Sequence, residues 1–144
     1  MLAIKRANLT DRDAVGRVYA VATGTQLSVS HKEWERWISL EGVVVAEVNN
    51  NLVGFGGIDV SAKEQLRWLY LLPEYQRTGL GSRILQALEE IGWRSGLQAI
   101  RVHSTSSAVQ FYAKLGYARV ADHDQFGHDH DGIEMIKVRP DNVS

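Results

Sequence analysis

The segment Leu69-Tyr-Leu-Leu-Pro-Glu-Tyr-Gln-Arg-Thr-Gly-Leu-Gly-Ser-Arg83 passes from an apolar, aromatic stretch through a turn with two glycines into a helical stripe. A strand that enters a helix this way makes a site for anions. The first helical turn leaves N–H groups without internal partners and carries roughly +0.5 of an elementary charge. Gly79 and Gly81 remove the Cβ atoms that would hold a phosphate off the backbone, and Arg77 adds a full positive charge. Taken alone, Gly-x-Gly also serves simply to shape a strand-to-helix turn. Two other phosphate loops are excluded: Gly-x-x-x-x-Gly-Lys-Ser/Thr does not occur, and Gly54-Phe-Gly-Gly57 lacks the third glycine of a dinucleotide turn. That stretch lies inside a predicted strand, where glycines mark a bulge or a close backbone approach.

The elements that must position this turn can be read outward from it. Leu66 to Leu72 is an apolar strand, and Pro73, unable to donate to a sheet, ends or splays it. Beyond Gly79, Leu80, Ile84, Leu85, Leu88 and Ile91 trace one helical stripe that Gly96 closes. Upstream, residues 2–7 form a strand, and Thr10 to Asp13 resembles a capping box for a helix to about Gly24. Ser30 to Glu33 repeats that signal for a second helix carrying Trp34, Trp37 and Ile38, which Gly42 ends. Val43–Val48 and Leu52–Val60 form a hairpin around Asn49-Asn-Asn51. Downstream come a strand at Ala99–Val102, a helix capped by Ser106 and Ser107 and closed by Gly116, and strands at Tyr117–Val120 and Ile133–Val138. The alternation predicts an α/β or α+β sandwich with no internal repeat and no linker.

Composition bounds the class. At 144 residues, 44% hydrophobic and 23% charged, the chain suits one globular domain over residues 1–144 and excludes collagen, coiled coil and disorder. Sixteen Lys+Arg against seventeen Asp+Glu give a net charge of -1, so no nucleic-acid partner is expected. Without cysteine there is no disulfide, thiolate metal site or cysteine nucleophile. The first residues do not read as a secretory signal, and the longest apolar run, Trp68 to Leu72, falls far short of the ~20 residues that span a bilayer. No membrane association and a cytoplasmic location are the expectation.

Gln76-Arg-Thr-Gly79-Leu-Gly81 after Leu-Leu-Pro resembles the acyl-coenzyme A motif, Gln/Arg-x-x-Gly-x-Gly/Ala, of the GNAT superfamily of N-acyltransferases. Ala108-Val-Gln-Phe-Tyr112-Ala-Lys-Leu-Gly116-Tyr117 is similar to that family's Ala-x-x-Phe-Tyr-x-x-x-Gly-Phe/Tyr segment at about the expected distance. The order of elements agrees across essentially the whole chain. The resemblance implies a mixed, mostly antiparallel sheet of about seven strands with four helices, splayed between the fourth and fifth strands. It implies acetyl-coenzyme A as cosubstrate. Gln76, Arg77, Thr78, Gly79, Leu80, Gly81 and Ser82 would cradle the pyrophosphate, and Leu69 to Leu71 would pair with the pantetheine arm. The Leu71 N–H would face the thioester carbonyl. Tyr112 corresponds to the family's frequent general acid, a role compatible with packing because a phenol has an apolar body and a polar tip. Phe111 is assigned to packing. Thr105 stands where many members carry Asn, and its hydroxyl would contact the pantetheine or, with its neighbours, cap the helix.

The general base is where the chain departs from the family, since Gln65 and Arg67 occupy strand positions at which some members place a carboxylate. His103, Glu64, Asp59 and ordered water are the candidates, and His103 leads because an imidazole with an ordinary pKa of about 6.5 is easiest to deploy at neutral pH. Asp122-His-Asp-Gln-Phe-Gly-His-Asp-His-Asp131, with four Asp and three His, is read as a solvated loop and not as a metal site. Its carboxylates would favour a cationic amine. Tyr19, Gln26, Trp34 and Trp37 fall where the family walls its acceptor pocket, although core packing also accounts for such aromatics.

These expectations add up to transfer of an acetyl group directly to a primary amine, a small molecule being preferred over a peptide or protein acceptor. The rival readings are a non-catalytic acyl-coenzyme A sensor with the same fold and, more distantly, a nucleotide-binding module. Exposed edge strands late in the chain leave a homodimer open.

Overall fold

The computed structural model describes residues 1–27, 29–40, 42–120 and 132–141. In chain order its elements are β1 (Leu2–Arg6), α1 (Arg12–Thr23), α2 (His31–Ser39), β2 (Val43–Val48), β3 (Asn51–Ile58), β4 (Leu66–Leu71), α3 (Leu80–Arg94), β5 (Ala99–Ser104), α4 (Val109–Lys114), β6 (Ala118–Arg119) and β7 (Ile133–Val138). Short 3-10 turns lie at Leu9–Asp11, Pro73–Tyr75 and Ser106–Ala108. The strands pair in two sheets, β1-β2-β3-β4 and β5-β7-β6, so hydrogen-bonded pairing ends at β4, after which the resemblance put the splay. The chain forms two compact units, Met1–Ile58 with Trp68–Ile91, and Asp59–Arg67 with Gly92–Ser144.

In the first unit the start of α1 differs from the expectation. A 3-10 turn precedes the helix, so the orphan N–H groups follow Asn8, whose Oδ1 accepts from Thr10 N at 3.0 Å while Asp11 Oδ2 accepts from Asn8 N at 2.9 Å. The box at Ser30 and Glu33 forms as predicted, with Glu33 N donating to Ser30 Oγ at 3.1 Å and Ser30 N to Glu33 Oε1 at 3.3 Å. That helix stops at Ser39, ahead of Gly42. Asn49 and Asn50 hold φ of 52° and 68°, the left-handed pair that a two-residue hairpin requires. β3 ends at Ile58, two residues early, because Asp59 N donates to Gln65 O at 2.7 Å and its Oδ1 accepts from Ser61 N at 3.0 Å. A turn therefore takes Asp59 and Val60 out of the strand.

β3 is buried from Leu52 to Ile58, covered on both faces. On one face Val15, Val18, Trp34, Val43, Val45 and Phe55 build a core with Trp37, Trp68 and Tyr70 packed against it. On the other, Gly54 and Gly56 let Ile84 and Leu88 of α3 come close. At Gly57, on the Phe55 face, a Cβ would collide with the Trp68 indole. The glycines thus serve close approach, while the irregularity of the hairpin falls between Ala46 and Glu47.

In the second unit β7 lies between β5 and β6, antiparallel to both, and β5 runs to Ser104 because Ser104 pairs with Ile133. α3 closes with Gly96 N on Trp93 O (3.0 Å) and Leu97 N on Gly92 O (3.1 Å). α4 closes the same way, with Gly116 N on Ala113 O (3.2 Å) and Tyr117 N on Tyr112 O (3.1 Å), as the sequence predicts. Ser106 and Ser107 do not cap: the 3-10 turn has Thr105 at its N-cap without a side-chain bond, and Thr105 Oγ1 lies 3.1 Å from Ser107 Oγ instead. No helix among the described residues is long and apolar enough to cross a membrane.

Candidate functional site

Pro73 starts a single 3-10 turn, Tyr75 N and Gln76 N donate to Leu72 O and Pro73 O, and Thr78 Oγ1 ties back to Tyr75 O at 2.5 Å. The chain then bends through two left-handed residues, Arg77 (φ 64°) and Gly79 (φ 87°), before α3 begins. The first backbone bond after this bend is Arg83 N on Gly79 O at 3.3 Å. The six N–H groups from Arg77 to Ser82 therefore have no hydrogen-bond acceptor among the described residues. Open space surrounds the position a Cβ on Gly79 would take. Six N–H groups at a helix N-terminus, with the exposed Arg77 guanidinium beside them, fit a diphosphate in number and charge.

β4 supplies the second part. It is the terminal strand of its sheet, and Leu72 N donates to Val53 O of β3 at 2.9 Å. Successive N–H groups of a strand point to opposite sides, so Leu71, and with it Leu69, directs its N–H away from β3. An extended arm that adds to β4 would find these groups, the geometry of strand addition. Tyr70 faces the core side, its ring edge-on to Tyr19 at 5.0 Å and 5.7 Å from Phe55. Burial first, and then the neighbouring Tyr19, pushes the Tyr70 phenol above its ordinary value, so it stays neutral and can donate as well as accept.

The residues walling the first two helices divide. Trp34 is buried and its Nε1 donates to the carbonyls of Asn8 and Leu9, at 3.2 and 3.1 Å, so it fixes the entry to α1. Trp37 packs against Trp68 with ring centroids 4.2 Å apart and planes tilted by 44°. Gln26 and one side of Trp34 line a cleft of about 350 Å³, rimmed by Arg12, Asp13 and Arg17. Arg12 Nε and Nη2 hold Val29 O at 3.0 and 2.5 Å and so tie the α1–α2 connection to α1. The sequence missed this anchor, because an arginine in a first helical turn carries no mark of a partner seventeen residues on.

In the second unit Tyr112 is buried at 8% exposure, edge-to-face with Phe111 (5.1 Å) and Tyr117 (5.5 Å). Thr105 is exposed. Of the three candidate bases the structure brings two together: His103 Nε2 lies 2.8 Å from Glu64 Oε2. Asp59 is engaged in its own turn, accepting from Ser61 N and Oγ. The Asp/His-rich segment 122–131 lies outside the described residues, and among those described no three His, Asp or Glu side chains gather as metal ligands would.

The family model for the acetyltransferase (GNAT) domain matches residues 14–139. The chain belongs to this family. A Bacillus subtilis (strain 168) protein bearing an acetyltransferase name is 32% identical over 82 residues, which is 57% of this chain and 51% of that protein. The matched stretch thus spans about half the length of that curated relative. The N-acetyltransferase PaiA from Thermoplasma acidophilum, solved with coenzyme A, superposes with a TM-score of 0.73 at 22% identity, covering 96% of this chain and 99% of that one. N-acetylglutamate synthase from Neisseria gonorrhoeae, solved with coenzyme A and N-acetyl-glutamate, gives 0.74 at 18% identity over 96% of this chain and 35% of that one. The fold is that of the GNAT acetyltransferases.

Proposed function

We propose that this chain, acting as one domain over residues 1–144, is an N-acetyltransferase that passes the acetyl group of acetyl-coenzyme A directly to a primary amine. A small molecule is the preferred acceptor. The observation that carries the reading is the run of six free N–H groups from Arg77 to Ser82, in a chain that matches the GNAT domain along most of its length. Acetyl-coenzyme A supplies the acetyl group as an activated thioester. Gln76 opens the turn, and the N–H groups of Arg77, Thr78, Gly79, Leu80, Gly81 and Ser82 hold the pyrophosphate. Leu69 and Leu71 bind the pantetheine arm along the free side of β4, with Thr105 contributing its hydroxyl. The Leu71 N–H donates to the thioester oxygen as negative charge grows there, a contribution of about 3 kcal/mol in comparable sites. His103 takes a proton from the acceptor's ammonium, Tyr112 donates its phenolic proton to the departing sulfur as the C–S bond breaks, and the proton shed by the new amide nitrogen restores the phenol.

Release of free thiol from acetyl-coenzyme A across a panel of amino acids, polyamines, aminoglycosides and peptides tests this directly. Amine-dependent release supports the transferase. Tight binding of acetyl-coenzyme A without release on any amine supports the non-catalytic sensor instead.

A further inference from the structure

We infer that Glu64 and His103 work as one proton-accepting pair, in which Glu64 fixes the imidazole proton on Nε2 and so makes Nδ1 the base. This rests on the acetyltransferase reading and specifies its least legible step. Glu64 is held in place by its neighbour: Gln65 O accepts from Asp59 N at 2.7 Å, Gln65 Nε2 donates to Ala62 O at 3.0 Å, and Gln65 Oε1 accepts from Arg101 N at 2.9 Å. The last of these fastens the β3–β4 connection to β5, two residues from His103. The Glu64 carboxylate is thereby delivered to His103 Nε2 at 2.8 Å. Opposite His103 in the ladder stands Glu134, whose Oε2 lies 3.5 Å from Arg101 Nη1.

A neutral imidazole has one N–H donor and one acceptor nitrogen, and an ionised carboxylate only accepts. A bond at 2.8 Å between Glu64 and Nε2 therefore places the N–H on Nε2 and the lone pair on Nδ1. The His103 side chain is 52% exposed, so the ring is within reach of a molecule from solvent. In the step itself one N–H bond of the acceptor's ammonium breaks and its electron pair stays on nitrogen, which becomes the nucleophile. The proton moves to Nδ1, giving an imidazolium whose charge Glu64 offsets, and then leaves to solvent. Glu64 is a positioning residue and does not touch the amine.

The test joins side-chain ¹H–¹⁵N NMR of His103 with steady-state kinetics of the full chain. In the wild-type protein the neutral ring should be the Nε2–H tautomer. Glu64→Ala should return it to a mixture, lower kcat about tenfold and leave the KM for acetyl-coenzyme A unchanged, while Glu64→Gln, whose amide oxygen still accepts from Nε2–H, recovers part of the rate. His103→Ala should cost on the order of 100-fold, the lower range for a positioned base, and the double variant should be no slower than His103→Ala. Multiplying losses, an unmoved tautomer in Glu64→Ala, or a full wild-type rate in that variant would each overturn the pair while leaving the transferase standing. A wild-type protein that releases no thiol with any amine overturns the transferase reading, and the base role with it.

Discussion

Under the proposed mechanism Tyr112 is both a packed aromatic and a proton donor. Its ring is gripped between Phe111 and Tyr117, and Tyr112→Phe keeps that packing because it removes only the hydroxyl. The variant should fold normally and bind acetyl-coenzyme A as before, yet lose about 100-fold in kcat, measured by thiol release. Tyr70 makes a prediction of a different kind. A phenol whose folded-state pKa is raised holds its proton longer in the folded chain, so above the unfolded value of 10.0 the unfolded state gains by ionising first. This group is neutral in its effect below that pH and takes stability away as pH rises through it. Melting temperatures between pH 8 and 11 should fall less steeply in Tyr70→Phe than in the wild type.

Among the elements, the turn between β4 and α3 holds a non-glycine residue, Arg77, at φ 64°. Left-handed backbone costs such a residue about 1 kcal/mol. Arg77→Gly should therefore raise stability by that order in urea denaturation while weakening coenzyme binding, since the guanidinium is lost. A variant that is no more stable, or that binds as well as before, would separate the bend from the site. Elements whose information is local were legible in the sequence: the α3 stripe closed at Gly96, the Ser30 box, the Asn49-Asn50 turn and the Gln76–Gly81 motif. What escaped depended on partners distant in sequence. The α1 cap moved to Asn8 because a 3-10 turn preceded the helix, and β3 shortened because Asp59 bonded to Gln65. The meeting of His103 with Glu64, thirty-nine positions apart in sequence, likewise rests on the Gln65 bond to the Arg101 backbone, which no periodicity encodes.

For the whole molecule, the proposed function makes acetyl-coenzyme A a ligand of the native state. At 100 times its dissociation constant such a ligand adds about 2.7 kcal/mol to stability and should raise the melting temperature by roughly 5–10 °C. The most direct measurement is a calorimetric titration of the wild-type protein with acetyl-coenzyme A beside Gly79→Trp, which puts a bulky side chain into the open space at Gly79 and strains the left-handed turn. Micromolar binding in the wild type and none in a folded Gly79→Trp is the predicted result. Equal binding in both proteins, or no heat from either, would contradict a pyrophosphate site at this turn.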